Sequence, residues 1–149
     1  MKSKKLSAPC WFRICGLIML ALHLLSPVKK IIPTPYGLVG VLLLLTGPLI
    51  IAWASNLFKK ARTTPGFFER PGHLVTQGPY RFSRNPMYVG LTIALVGLGF
   101  LLGTIVPMIV IPVFVWIISK DVIDVEEKSL EEVFDKTYLE YKKRVRRWI

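Results

Sequence analysis

Between Gly78 and Gly90 the chain reads Gly-Pro-Tyr-Arg-Phe-Ser-Arg-Asn-Pro-Met-Tyr-Val-Gly, which sets the guanidinium groups of Arg81 and Arg84 among the phenols of Tyr80 and Tyr88. Arginine receives a carboxylate through paired N–H donors, and a tyrosine face attracts a cation. Further along, Glu126-Glu127 offers two adjacent carboxylates for an ammonium group, a hydroxyl or a proton. Such a set suits a small ligand that carries both signs of charge. Each group alone has a plainer use. Arg84 can snorkel at a helix end, Asn85-Pro86 can be only a helix cap, Glu126-Glu127 can be a solvated helix face, and His73 can be an ordinary loop histidine. The chemistry therefore depends on whether the fold brings the two clusters together.

The elements available for that task are apolar helices. The chain has 149 residues, 52% of them hydrophobic, enough for a single domain over 1–149. No charged residue occurs from Ile31 to Phe58 or from Asn85 to Ser119, and uncharged runs longer than about 18 residues indicate membrane-spanning helices. A shorter apolar run, Ile14 to Leu25, precedes them. It could be the hydrophobic part of a secretory signal, but Pro27, Lys29 and Lys30 follow it in place of small residues suited to cleavage. It therefore counts as a first span, extended by Trp11 and Phe12. The fold expected is an all-α membrane protein with four spans, at about 11–27, 36–58, 86–102 and 104–119. A cytosolic loop over 59–85 and a cytosolic amphipathic helix over 120–149 complete it.

The run from Asn85 to Ser119 would be about 52 Å long as one helix, too long for a single crossing and slightly short for two. A tight hairpin turning at Gly103-Thr104 resolves this, with Pro107 and Pro112 bending the returning helix. Gly97, Gly99 and Gly103 would let its two helices approach closely. Asn85 should cap the first helix, with Pro86 at its first position. In this register Asn85 faces Asp121 and Tyr80 faces Glu126, so the two polar clusters meet at one membrane boundary. Turn signals at Thr63-Thr64-Pro65-Gly66 and Pro71-Gly72 make the preceding loop irregular. After Lys120, an apolar stripe of Leu130, Phe134, Tyr138, Tyr141, Val145 and Trp148 lies opposite Glu132/Lys136 and Glu140/Arg144 pairs. Trp148 would anchor that helix at the headgroups.

The net charge of +11 fits this topology better than nucleic-acid binding, because the basic residues flank apolar spans. Lys2, Lys4, Lys5 and Arg13, the 59–85 loop and the segment after Ser119 all fall on one side, which the positive-inside rule makes cytoplasmic. Both termini are then cytoplasmic, in a multi-pass protein of the cytoplasmic (inner) membrane. Cys10 and Cys15 point to different helix faces and lack a nearby histidine in ligand spacing, so neither a disulfide nor a metal site is expected. His23 reads as a polar residue near a membrane interface.

The Gly78–Gly90 segment resembles the isoprenylcysteine carboxyl methyltransferase and phospholipid methyltransferase families, whose core looks like G-P-Y-x-x-x-R-[HN]-P-x-Y-x-G. The resemblance continues through Glu126-Glu127 and Phe134, Tyr138 and Tyr141, and covers roughly Thr63 onwards. It implies a membrane-embedded methyltransferase that uses S-adenosyl-L-methionine. The cofactor contacts implied are His73, Leu74, Val75, Tyr80, Asn85, Pro86, Met87, Tyr88, Glu126 and Glu127, with Arg84 and Glu127 as catalytic residues and no metal. Gly97-Leu98-Gly99 is a cofactor motif in the phospholipid branch, although helix packing explains these glycines equally well.

The implied partner is a lipophilic methyl acceptor, prenylcysteine-like or lipid, reached from the membrane, with no nucleic acid involved. A carboxylate acceptor needs no base, whereas an amine acceptor must first lose a proton. A non-catalytic scaffold keeping the same fold is the remaining reading. The chain departs from the family pattern in having Asn85 where many relatives have His. Lys120-Asp121-Val122-Ile123 stands where eukaryotic prenylcysteine enzymes carry Arg, which weighs against prenylcysteine recognition because Lys lacks the planar fork. Asp135 and Arg146 stand where Gly and Pro are frequent.

Overall fold

A computed structural model describes residues 6–25, 30–61 and 72–149, and everything described is helical or irregular. The expected Thr63–Gly66 turn and the basic residues at 2–5 lie outside these residues. Helix α1 is Ala8–Leu25, α2 is Thr34–Lys60 and α3 is Pro86–Leu102. A 3-10 turn, Val106–Ile109, leads into α4, Val110–Ile117, and a π-helical turn, Ile118–Ile123, carries the chain into α5, Asp124–Arg144. Among the described residues three helical runs, Ala8–Leu25, Pro35–Lys60 and the continuous Val106–Arg144, are long and apolar enough to cross a bilayer, and α3, with 17 residues, is shorter. This is the architecture of an integral membrane protein. Leu42, Leu45, Leu49 and Trp53 on α2 and Leu17 and Leu24 on α1 are correspondingly exposed.

Helix α3 has the expected 86–102 bounds because its signals are local. Pro86 occupies the first turn, and Gly103 closes the helix at φ 71° with its N–H on the Gly99 carbonyl. Its packing partner is a correction. Gly97 meets α2 rather than the following helix: a Cβ there would stand 2.6 Å from Leu44 N and 2.7 Å from Gly40 O. Gly47 and Gly90 meet in the same way, at 2.5 Å from the modified Gly47 to Gly90 O. Small residues therefore recur seven apart on both helices and bring two backbones into contact, as bilayer helices do when side chains are absent. Of the other two glycines, Gly99 faces Met108 and Met19 side chains, while Gly103 accepts the Ile31 and Ile32 N–H groups through its carbonyl. A core of Cys15, Met19, Leu95, Phe114 and Ile118 fills the space between α1, α3 and α4.

The reversal after α3 also differs from expectation. Gly103-Thr104 begins it, but the added 3-10 turn displaces its centre, so Tyr88 rather than Tyr80 bonds Glu126, and Arg84 pairs with Glu127. Asn85 bonds the Arg147 carbonyl. The π turn then inserts an extra residue into the helix, which rotates the downstream side chains by about 100° around the axis. Of the helix expected over 120–149, α5 covers Asp124–Arg144; it joins α4 through the π turn without a gap and breaks at Asp135, whose φ of 40° and ψ of −118° are non-helical. On a straight helix Glu127 and Lys142 would be about 22 Å apart, yet Lys142 Nζ lies 3.8 Å from Glu127 Oε2. The chain has folded back on itself, and beyond Arg144 it becomes extended at Val145. Trp148, partly buried, packs against the core.

Candidate active site

The cleft forms where four pieces of chain converge: the end of α2, the segment before α3, the first turn of α3, and the two arms of α5. Gly78 makes the first turn possible. Its φ is +60°, and a Cβ would lie 2.8 Å from Leu57. The 3-10 turn Gly78–Arg81 then buries Tyr80 edge-on to Phe58, with centroids 5.4 Å apart, and Tyr141 Oη donates to the Tyr80 carbonyl at 2.7 Å. Ser83 Oγ accepts the Asn85 N–H at 3.0 Å. The expected capping role of Asn85 is thus corrected: its side chain makes no cap bond and instead donates through Nδ2 to Arg147 O at 3.1 Å.

Nearly all the residues singled out from the sequence line this cleft. His73, Leu74, Val75 and Tyr80 form one wall, Arg84, Asn85, Met87 and Tyr88 a second, and Glu126 and Glu127 a third. Pro86 is buried at the helix start and is not part of the lining. Arg81 is exposed. Sequence reading did not single out Phe58 or Ser129, and placed Leu130, Tyr138 and Tyr141 on an apolar stripe, although all five line the cleft. It also missed Asp124, Lys142 and Arg147, which hold one wall from behind. No spacing rule identifies these, because the break at Asp135 is what brings Lys142 and Arg147 back.

The two adjacent glutamates have different surroundings. Glu127 is 3% exposed and ringed by cations: Arg147 Nη2 is 2.7 Å from Oε2, Arg84 Nη2 is 3.2 Å from Oε1, and Lys142 Nζ is 3.8 Å from Oε2. Lys142 also pairs with Glu131, and Arg147 Nη1 reaches Asp124 at 2.8 Å. Burial raises the Asp124 carboxyl, but Arg147 and Lys120 outweigh it and hold it low. Burial likewise opposes the Arg147 charge, and Glu127 and Asp124 more than restore it.

Glu126 accepts a hydrogen bond from Tyr88 Oη at 2.7 Å, and among the described residues no Lys or Arg is paired with it. Burial, with the neighbouring Glu127 charge, pushes its carboxyl up to about 7 against the opposing pull of the Tyr88 hydrogen bond. Burial also pushes the Tyr80 and Tyr141 phenols up, and Tyr138 to about 12.

Arg84 carries the other half of the pattern. Its side chain is 8% exposed, and Nε and Nη1 are buried without a hydrogen-bond partner. The Arg84–Glu127 contact is a charge pair whose orientation falls short of a hydrogen bond, since Glu127 Oε1 is also without one. Unpaired buried donors are costly, and here they belong to a residue lining an open cleft. Among the described residues no group of three or more His, Cys, Asp or Glu is placed to hold a metal.

The family model described as phospholipid methyltransferase matches residues 36–137. Protein-S-isoprenylcysteine O-methyltransferase B of Arabidopsis thaliana is 38% identical over 72 residues, 48% of this chain and 36% of that protein. The protein-S-isoprenylcysteine O-methyltransferase of Saccharomyces cerevisiae is 38% identical over 72 residues, covering 48% and 30%. That of Mus musculus is 39% identical over 72 residues, covering 48% and 25%. The matched segment thus spans between 25% and 36% of these relatives' length.

Proposed function

Because the chain belongs to the phospholipid methyltransferase family, we propose that it is a membrane methyltransferase whose cleft binds S-adenosyl-L-methionine and delivers its methyl group to a lipophilic acceptor. One observation carries this reading: a single cleft presents buried, unpartnered Arg84 donors and a Glu126 carboxylate that no cation among the described residues neutralises. A zwitterionic ligand with a carboxylate and an ammonium group satisfies both. The cofactor would meet Arg84 through its carboxylate and Glu126 through its ammonium. Tyr80 and Tyr88 offer faces to a cationic sulfur, and His73, Leu74, Val75, Asn85 and Met87 complete the walls.

When bound, the cofactor supplies an electrophilic methyl group. The chain contributes alignment and exclusion of water, which for displacement onto an already ionised carboxylate supply most of the rate. Glu127 orients Arg84, and Tyr88 orients Glu126. The acceptor favoured is a lipid-borne carboxylate of the prenylcysteine kind, as in the names of the relatives. A phospholipid amine is the second reading, supported by Glu126. A carboxylate held near neutrality can take the proton an amine must lose before it is methylated. The Lys and Arg residues within 59–85 and after Ser119, counted without the acids, favour a cytoplasmic-membrane protein with this cleft and both termini on the cytoplasmic side.

The test is to incubate purified protein with methyl-labelled S-adenosyl-L-methionine, a membrane lipid extract and a prenylcysteine analogue. Label transferred to lipid or analogue supports a methyltransferase, and base-labile label identifies an ester while stable label identifies an N-methyl product. Cofactor that remains unbound and untransferred overturns the reading.

A further inference from the structure

The extended segment after α5 reaches both sides of the cleft through one residue. Its backbone is fixed to the segment before α3. The Arg146 carbonyl accepts the Arg84 N–H at 2.9 Å, and the Arg147 carbonyl accepts from Asn85 Nδ2 at 3.1 Å and Ser83 Oγ at 3.3 Å. Its side chain turns to the opposite wall, with Nη2 on Glu127 Oε2 at 2.7 Å and Nη1 on Asp124 Oδ1 at 2.8 Å. Glu127 is thereby held by one oxygen, and only the other is left to touch Arg84, at Nη2.

A carboxylate and a guanidinium prefer to meet through two parallel bonds. With Oε2 released, Glu127 could turn onto Arg84 and occupy a second donor, Nε or Nη1. Those are the donors the structure leaves without a partner. Lys142 also approaches Oε2, but at 3.8 Å and from a side chain more than one-third exposed, so it is the weaker restraint.

We infer that Arg147 is a positioning residue: by holding Glu127 away from a two-bond pairing with Arg84, it keeps the Arg84 donors open to the carboxylate of a bound ligand. This rests on the reading of the cleft as a cofactor site and adds what sets its preference for a carboxylate-bearing ligand. It also separates two roles of one residue. The main-chain bonds of Arg147 join the elements and survive substitution, whereas the side chain sets the Glu127 orientation.

The experiment compares two probes, S-adenosylhomocysteine and its decarboxylated analogue, by equilibrium binding to detergent-solubilised full-length protein. Wild type should bind the first at least about tenfold more tightly, as expected for a buried charge-assisted contact. Arg147→Met should weaken S-adenosylhomocysteine by about that factor and leave the decarboxylated analogue unchanged, so the preference collapses toward one. Arg147→Lys, which restores a cation at Glu127, should recover part of it. Equal weakening of both probes, or an unchanged preference, overturns the inference. If Arg147→Met fails to fold, Asp124→Asn, which releases one side of the Arg147 guanidinium, takes its place. A reduced preference then supports the inference and an unchanged one overturns it. Wild type that binds neither probe contradicts the cofactor site itself, a result distinct from a wild type that binds while its variants keep the preference.

Discussion

The α2–α3 contact and the cleft are both tight, but in opposite ways. Along α2 and α3, Gly40, Gly47, Gly90 and Gly97 remove side chains so that backbones touch, and the contact is complete in itself. At the cleft, Arg84, Glu127, Arg147, Asp124 and Lys142 form a network of charges, and it is incomplete. Arg84 keeps free donors, and Glu126 lacks a paired cation among the described residues. Shape without remainder makes a scaffold. Charge with a remainder suits the proposed binding site, because a ligand would gain what the protein has left unpaired.

The comparison breaks most severely at Glu127. Glu127→Ala leaves the buried Arg84 without its counter-charge and Arg147 with Asp124 alone, and should cost about 3–5 kcal/mol, read as a large drop in melting temperature in detergent. Glu126→Gln should act in the reverse direction at neutral pH. The folded carboxyl titrates near 7 against an ordinary 4.5. Between those values the folded protein holds a proton that the unfolded chain has released, so stability falls as pH rises. The penalty is complete above about pH 7, where it approaches 3 kcal/mol. Melting curves of wild type should therefore decline from pH 5 to 7.5, and those of Glu126→Gln should lose that component.

On the scaffold side, Gly47→Ala should destabilise by about 1–3 kcal/mol, since its Cβ must displace α3 backbone. The same change at Gly37, where nothing lies within 4 Å, should be harmless. A smaller effect, of opposite sign to that at Gly47, concerns Asp135. Its positive φ falls in a region that favours glycine, so Asp135→Gly should stabilise by about 1 kcal/mol, visible as a modest rise in melting temperature.

Legibility in the sequence divides along the same line. The bounds of α3 follow from Pro86 and Gly103, the cleft residues between Tyr80 and Tyr88 from one compact motif, and Glu126-Glu127 from a second, separate cluster. The partner of Gly97 could not be read, because small residues seven apart mark a close approach without saying which helix approaches. The π turn and the break at Asp135 were equally hidden. Both are local departures from a helical pattern that the apolar periodicity continues straight through. Arg147 looked like part of a basic surface run and became a buried contact only because the chain doubles back. The one available signal was Asp135 itself, a position where the resembling families often have glycine.

Whether Glu126 and Arg84 together receive a zwitterionic cofactor, as proposed, can be read from the affinity for S-adenosylhomocysteine across pH 5.5–8.5 in wild type and Glu126→Gln. If the ligand ammonium pairs with an ionised Glu126, wild-type affinity should rise as pH passes through about 7 and then level off, while Glu126→Gln should bind weakly and without that rise. Equal, pH-independent binding by both proteins would rule out an ion pair between the ligand and Glu126.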